Sequence, residues 1–587
     1  MQLYHDSRSL DCRAPLGAVK CGTVVRFRLF GAYGAQQVKL IFIVDHKAES
    51  VPMEMLYDGA FETRHPMPGA PSVAWYYFEV ERPACATKYY GNARDMLGGV
   101  GECCDGVPPA FQITVYDPAY QTPAYLRGGV MYQIFPDRFA RSKPPASPRR
   151  DIVLHENWDD KPLERVESVP GDNFALDFFG GDLKGIEQKL DYLAGLGVTV
   201  LYFNPIFEGR ANHRYGTADY TRIDPILGAE RDFSELCEAA RTRGIRVILD
   251  GVFSHTGDDS VYFNRYGHYD SVGAYQSKES AFYSWYTFRS FPDDYACWWG
   301  FQSLPELNKG DEGYRRFLMG EDGVAHGWLR RGAAGWRLDV ADELPMDFLR
   351  ELRAAIKREK RDAAIIAEVW EDASRKEAYG ALRSYCLGDT ADSVMNYPLR
   401  AACIEFLMGR ADASALVRVI LSQQENYAPP FYYSLMNLMG SHDRARILSV
   451  LSGTLPRDDE RGDGHPAPLT PEQYILAKRR MLVFLRILVS LPGIPCVYYG
   501  DEAGCLGAAD PYCRGTYPWG REDQALIGAV RALLALRKKP ALRAGTLECF
   551  ALDADTLVIR RAITLGHDVF GAPAPNSVYE ARIRRPI

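Results

Sequence analysis

Two rhythms of apolar and polar residues divide this chain. Up to about residue 122, short segments such as Thr23–Phe30, Gln37–Val44 and Trp75–Glu81 alternate apolar with polar positions, and Gly, Pro and Asp separate them. That rhythm predicts antiparallel strands in a β-sandwich. The stretch from Tyr116-Asp117-Pro118 to Pro123 reads as a linker. From Val130 the rhythm changes, and short apolar runs alternate with longer helical patterns. The runs are Val130–Ile134, Val198–Phe203, Arg246–Leu249, Gly335–Leu338, Ala364–Ala367, Ser393–Met395, Leu435–Leu438 and Cys496–Tyr499. Helices are expected over Leu183–Leu196, Asp232–Arg243, Tyr314–Arg330 and Met346–Lys360. Strand–helix alternation calls for parallel strands joined by right-handed crossovers, and eight such units predict closure into a barrel.

The expected fold is therefore α/β. A (β/α)8 TIM barrel occupies residues 123–540, an N-terminal β-sandwich occupies 1–122, and a short C-terminal β region occupies 541–587. After the third strand lie about sixty residues rich in Tyr, Phe and Trp, too long for a structureless loop. They are read as an inserted subdomain over about 251–310. Strand-like runs at Leu547–Ala551 and Thr556–Ala562 mark the tail, which is short for a domain with its own core. The Pro-, Ser- and Arg-rich segment Arg141–Arg150 reads as an exposed loop.

Composition narrows the partners. The net charge of −7, from 69 basic and 76 acidic residues with no long basic run, argues against nucleic acid or an anionic membrane surface. The longest apolar stretch, near Met481–Val489, is too short for a membrane span and Arg486 interrupts it. The first residues, MQLYHDSRSLDCRAPLG, lack the basic and apolar regions of a secretory signal, and the 13 cysteines form no CxxC pairs. Reduced, buried thiols in the cytoplasm are the expectation.

Chemistry collects at one end of the barrel, the C-terminal ends of the strands. Asp137-Arg138 follows the first strand, Asn204 the second, and Asp250 and His255 the third. Arg337 and Asp339 close the fourth, Glu368 follows the fifth, His442-Asp443 the seventh and Asp501-Glu502 the eighth. Any one of these could be a cap or a buried ion pair, but that reading is poor for the whole set. Arg337 and Asp339 are two apart, so they share a face of the strand, and the cation favours an ionised carboxylate. Glu368 follows an apolar run and stands beside Trp370, a setting that keeps a carboxyl protonated. Unequal carboxylates flanking one bond are the machinery of glycoside hydrolysis, and Asp443 supplies a third. Aromatic content is 12%, and Tyr215, Trp285, Trp298, Trp299 and Trp370 are expected at the same end as platforms for the apolar faces of sugars.

These residues fall within ordered motifs: MYQIFPDRF (131–139), FFGGDLKGI (178–186), DGVFSHTG (250–257), GWRLDVADE (335–343), AEVW (367–370), VMNYP (394–398), GSHDRAR (440–446) and PGIPCVYYGDE (492–502). With them the chain resembles the α-amylase family of glycoside hydrolases, and within it the neopullulanase, cyclomaltodextrinase and maltogenic amylase branch. The resemblance implies that Asp339 is the nucleophile, Glu368 the acid/base and Asp443 the transition-state stabiliser. It implies that Arg337 holds Asp339 ionised, that His255 and His442 bind hydroxyls of the sugar in the cleavage subsite, and that Asp250 supports them. Tyr215 would stack under that sugar, Trp370 would join the substrate site, and Asp510 and Arg514 would bind the next sugar toward the non-reducing end.

Some positions depart from the family pattern. Ser254 stands where Asn is usual, Asp342-Glu343 where Asn-Glu is common, and Glu371-Asp372 where His-Asp is common. These bear on the leaving-group side. The segment 140–150, ARSKPPASPRR, replaces an Asn/Asp-rich calcium loop and offers few hard oxygen ligands, so neither a metal nor a cofactor is expected.

The expected activity is retaining hydrolysis of α-1,4-glucosidic bonds in maltooligosaccharides, cyclodextrins or pullulan. The alternatives are an α-1,6-acting debranching enzyme or an α-glucosidase and, from another class, a non-catalytic glucan-binding protein. An α-glucan is the expected partner, and a homodimer through the N-terminal region is a further expectation of the resemblance. That region could instead bind glucan.

Overall fold

The fold was obtained as a computed structural model that describes residues 2–586 apart from 84, 148, 170–172 and 456–467. At its centre lies a parallel eight-stranded sheet. The strands are Met131–Ile134, Val200–Phe203, Arg246–Gly251, Gly335–Leu338, Ala364–Ala367, Ser393–Val394, Met436–Leu438 and Ile494–Tyr498. Each pairs with its sequence neighbour, and the first also pairs with the eighth, with Met131 opposite both Val200 and Cys496. A parallel bridge between Met395 and Met436 joins the sixth strand to the seventh and closes the barrel.

Period two sorts the barrel side chains into two cores. Met131, Val200, Tyr202, Ile248, Ala364, Ile366 and Met436 form the interior plug. Their neighbours Tyr132, Leu201, Leu249, Trp336 and Ile365 pack outward under the helices. Helix Glu230–Thr242 turns Phe233, Leu236, Cys237 and Ala240 onto that layer, and Met346–Glu359 turns Phe348, Leu349, Leu352 and Ile356. Such 3–4 spacing is the stripe an amphipathic helix needs. Two expected helices are each split in two. Leu183–Gln188 and Leu190–Leu196 part at Lys189, and Glu312–Met319 and Val324–Arg330 part at the Gly320–Gly323 turn.

The N-terminal region holds a four-stranded and a seven-stranded sheet around Val25, Phe27, Leu40, Phe42, Tyr76 and Phe78. It is latched to the barrel by Glu425, which is buried on the barrel side and takes Arg8 at 2.8 Å and Arg13 at 3.3 Å. The aromatic segment after the third strand contains little regular structure. Its Tyr262, Phe263, Trp285, Tyr286 and Tyr295 belong to the same core as the barrel helices. The tail is a three-stranded antiparallel sheet, Thr546–Asp553, Thr556–Ile563 and Ser577–Arg584. Leu547, Leu557, Ile559 and Ile583 also join the barrel core, which explains how so short a segment is held. Among the described residues no helix is long and apolar enough to cross a membrane.

Candidate active site

Inward parity decides which side chains reach the mouth of the barrel. Continuing from the apolar plug, the next inward positions are Gln133, Asn204, Asp250, Arg337, Asp339 and Glu368. Polar residues therefore replace the plug at the C-terminal ends of the strands and meet one another there.

Arg337 is the hub. Its Nη1 lies 2.7 Å from Asp339 Oδ1 and 2.8 Å from Asp250 Oδ1, and its Nη2 lies 2.8 Å from Glu368 Oε2. Glu368 Oε2 also accepts the backbone N–H of Val340 at 2.8 Å. Val340 has φ +37°, a conformation that β-branched residues rarely adopt, and this strained turn directly follows Asp339. It aims the N–H at the carboxyl of Glu368.

Asp250 is further held by the hydroxyls of Tyr202 at 2.7 Å and Tyr215 at 2.9 Å. The Tyr215 oxygen also accepts an N–H from Asn204 at 3.0 Å and meets His442 Nε2 at 2.6 Å. Gln133 donates its amide N–H to His442 Nδ1 at 2.9 Å, which leaves the imidazole proton on Nε2. Burial pushes the His442 imidazolium well below its ordinary range, and Arg514 and Arg337 add to the effect, so the ring is neutral. His255 is likewise buried and neutral, pushed down to about 3 by burial and then by Lys309. Its Nδ1 meets the Ser254 hydroxyl at 2.7 Å, while its buried Nε2 has no protein partner and lines the cavity.

A cavity of about 660 Å³ joins these groups. Asp339, Glu368, Asp443, Tyr215, His255, His442, Trp370, Asp510 and Arg514 all line it. Asp443 is 27% exposed, and its Oδ1 lies 3.1 Å from His442 Nε2, so its carboxyl faces the open space. Arg514 pairs with Asp510 at 2.9 Å and donates from Nε to the His442 carbonyl. Trp370 stacks on Tyr397 with ring centres 4.0 Å apart, and Arg444 covers its other face at 4.4 Å. Asp250 and Arg337 do not line the cavity; they support those that do.

Electrostatics sets burial against the pull of Arg337 on Asp339. Arg337 does draw the Asp339 carboxyl down, but burial outweighs it, and Glu368, Asp250 and Asp443 add repulsion. The Asp339 carboxyl is therefore held well above the ordinary range. Burial also raises Asp250, Glu368 and Asp443, against Arg337 for the first two and Arg514 for the third. One guanidinium stands against several buried carboxyls, which raises the pH at which each would give up its proton and links their titrations. Reading Asp339 beside Arg337 alone omitted the carboxyls that arrive from other strands.

Other strand-end residues have structural partners. Asp137 pairs with Arg138 at 2.7 Å and caps the Phe179 and Gly180 N–H groups. Asp501 pairs with Arg446 at 3.2 Å, and Glu502 accepts from Tyr132 at 2.6 Å and Tyr192 at 2.9 Å. Trp285, expected as a sugar platform, is buried beside Tyr262 and Tyr314. Trp298 and Trp299 do line the cavity, together with His213, Phe301, Asp342 and Glu343. His213 and Gln133 escaped sequence reading, although a glutamine inside the apolar run MYQIF was a signal of an inward polar position.

A closed (β/α)8 barrel with paired carboxylates in a cavity at its C-terminal mouth has the architecture of a glycoside hydrolase. Residues 133–526 match the family described as alpha amylase, catalytic domain. An amylopullulanase of Thermoanaerobacterium thermosulfurigenes is 38% identical over 99% of this chain and 33% of its own length. A cyclomaltodextrinase of Geobacillus thermopakistaniensis is 33% identical over 80% of this chain and 72% of its own. Among solved structures, the ligand-free cyclic alpha-maltosyl-(1-->6)-maltose hydrolase from Arthrobacter globiformis superposes with a TM-score of 0.64 at 32% identity, covering 79% of this chain and 99% of that one. The chain belongs to the α-amylase family of glycoside hydrolases. It spans from a third to about half of the length of the amylopullulanases it matches.

Proposed function

We propose that the protein hydrolyses α-1,4-glucosidic bonds in maltooligosaccharides, cyclodextrins or pullulan with retention of configuration. The observation that carries this reading is the single guanidinium of Arg337 shared by Asp339 and Glu368, with Asp443 on the same cavity wall. A retaining mechanism needs one carboxylate on each side of the glycosidic bond, about 5–5.5 Å apart.

In this mechanism the ionised form of Asp339, paired with Arg337, attacks the anomeric carbon as Glu368 gives its proton to the departing glycosidic oxygen. The bond to the leaving sugar breaks, and an ester forms between Asp339 and the retained sugar. Glu368, now ionised, removes a proton from water, which attacks the same carbon and frees Asp339. The buried setting of Glu368 keeps it protonated for the first step. Asp443 and the neutral His255 and His442 bind hydroxyls of the sugar that develops positive charge, and Tyr215 lines its floor. Asp510 and Arg514 hold the next sugar toward the non-reducing end.

A second reading, α-1,6 cleavage at the same site, is favoured by the names of relatives that align over nearly the whole chain, the amylopullulanases. Pullulan separates the two. The first reading predicts panose and the second maltotriose; glucose alone would point to an α-glucosidase. No product from pullulan, β-cyclodextrin or soluble starch, with Asp339→Asn indistinguishable from wild type, would contradict both.

A further inference from the structure

Behind the active-site wall, the segment after the first strand holds a histidine between two carboxylates. His155 is buried and stacks on Phe179 with ring centres 4.0 Å apart. Its Nδ1 lies 3.0 Å from Asp160 Oδ2. Its Nε2 lies 3.4 Å from Asp177 Oδ2, a charge contact outside hydrogen-bond geometry. A neutral imidazole has one N–H and one lone pair, so it would turn the lone pair toward one of the two carboxylates. Only the imidazolium presents a proton to each. Burial works against that charge, but Asp177 and Asp160 outweigh it, Arg138 opposes them, and the imidazole is held above its ordinary range. Arg141 meets the His155 carbonyl and not its ring, at 3.4 Å.

Asp177 connects this cation to the cavity. Its Oδ1 lies 3.3 Å from Arg138 Nη2 and accepts an N–H from Asn212 at 2.9 Å. Asn212 precedes His213, which lines the cavity. Arg138 pairs with Asp137 at 2.7 Å and donates from Nη1 to the carbonyl of Arg514 at 3.2 Å. Trp158 ties the same stretch of chain to the loop of Arg514: it donates to the Tyr517 carbonyl at 2.8 Å and accepts from Thr516 Oγ1 at 2.7 Å. His155, Asp177 and Arg138 do not line the cavity; they stand behind Arg514 and His213, which do.

We infer that His155 is a positioning residue for substrate binding. Its imidazolium completes a run of alternating charge, Asp160, His155, Asp177, Arg138 and Asp137, that sets the places of Arg514 and His213. Without that charge the buried Asp177 keeps Arg138 alone, Asp160 is released, and Arg514 shifts from the sugar assigned to it above. Asp339 and Glu368 are held by Arg337, outside this run, so the effect falls on binding more than on the chemical steps. The inference rests on the proposed glucan-cleaving function and adds to it a residue that touches no sugar.

The test compares His155 with His155→Gln, which keeps a polar side chain and removes the charge. Both are placed in Asp339→Asn, and the Kd for maltotetraose is measured by calorimetry from about pH 6 to about pH 9, with a thermal melt at each pH as a check on folding. With His155 the Kd is expected to rise about five- to tenfold across that range; with His155→Gln it starts about five- to tenfold higher and stays level within about twofold. A purely structural role would lower the melting temperature of the variant and leave the two Kd curves parallel. Parallel or coinciding curves overturn the inference. Asp160→Asn, at the more exposed end of the run, is the second variant. It removes one carboxylate that favours the imidazolium, so the rise in Kd should move to lower pH, and an unmoved rise overturns the inference even where His155→Gln does not fold. Cleavage of maltotetraose by the same proteins with Asp339 restored separates this inference from the function beneath it. Should none of them cleave, binding whose pH dependence His155→Gln abolishes still supports the positioning role; cleavage with coinciding Kd curves removes the role and keeps the function.

Discussion

Asp339 and Glu368 are carried by the two terminal nitrogens of one buried guanidinium, that of Arg337, at 2.7 and 2.8 Å. Lysine has a single ammonium and cannot occupy both positions. Arg337→Lys is therefore expected to lower kcat on maltooligosaccharides by at least about 100-fold, since it misplaces both carboxyls at once. It should also lower the melting temperature, because it leaves a buried carboxyl without its cation. Steady-state kinetics together with a thermal melt would check both effects.

The acid and base limbs of the activity profile should both lie above the range of ordinary carboxylates. The proposed mechanism requires Asp339 ionised and Glu368 protonated in the free enzyme, and burial raises both. The proposed mechanism needs one proton shared by the pair and carried on Glu368, so activity falls on the acid side as the pair takes up a second proton and on the basic side as it loses the last one. Glu368→Gln is expected to lose about 100- to 10,000-fold in kcat on a natural glucan and to flatten the basic limb. A pH profile of kcat/KM for both proteins tests this.

Asp501 provides a stability test outside the reacting groups. Burial pushes its carboxyl up to about 7, against the pull of Arg446. A raised carboxyl holds its proton in the folded state where the unfolded chain has already released it. Stability is thus lost as pH rises from about 4 toward 7, and the full penalty stands above 7. Asp501→Asn should show a flatter stability profile, gaining up to about 4 kcal/mol relative to wild type between pH 4 and pH 8. Denaturant melts across that range would measure the difference.

The Tyr215 hydroxyl joins Asp250, Asn204 and His442. Tyr215→Phe keeps the ring on the cavity wall and removes that junction. A loss of about 1–2 kcal/mol in transition-state stabilisation, roughly tenfold in kcat/KM, is expected with modest thermal destabilisation. An unchanged kcat/KM would mean that the ring alone matters.

Metal removal should leave the protein unaffected. Asp182, the acidic remnant of the calcium-loop pattern, accepts from Ser142 Oγ at 2.8 Å and from the Gly185 N–H, where it caps a helix. Among the described residues no group of three or more His, Cys, Asp or Glu side chains is gathered for a metal. Dialysis against a chelator is expected to change neither the melting temperature nor the activity, and recovery of a lost activity on adding calcium would contradict this.

Much of the barrel was legible because strand period and motif order are local. The fourth strand, Gly335–Leu338, and the fifth, Ala364–Ala367, have the expected bounds. The third tail strand, Ser577–Arg584, escaped because its apolar positions match the barrel's surface and not a core of its own. Asp250, Arg337, Asp339, Glu368 and Asp443 stood out because each ends or follows an apolar strand, whereas the roles of Tyr215, Asp510 and Arg514 came only from the family resemblance. The protonation of the carboxyls was not legible, since it depends on how many of them meet Arg337 from other strands, a property of the closed barrel. For the same reason Trp285 and Trp298, thirteen positions apart in one aromatic segment, were indistinguishable in sequence, yet one is core and the other lines the cavity.

The central claim is that Asp339 bonds covalently to the substrate while Glu368 serves both steps. An α-glucosyl fluoride needs no acid to leave, so Glu368→Gln should form the ester on Asp339 and, lacking a base to activate water, accumulate it. Mass spectrometry of the digested variant is expected to find one added glucosyl unit on the peptide that contains Asp339. An unmodified peptide at full fluoride turnover, or a glucosyl unit on any other carboxylate, would contradict the account.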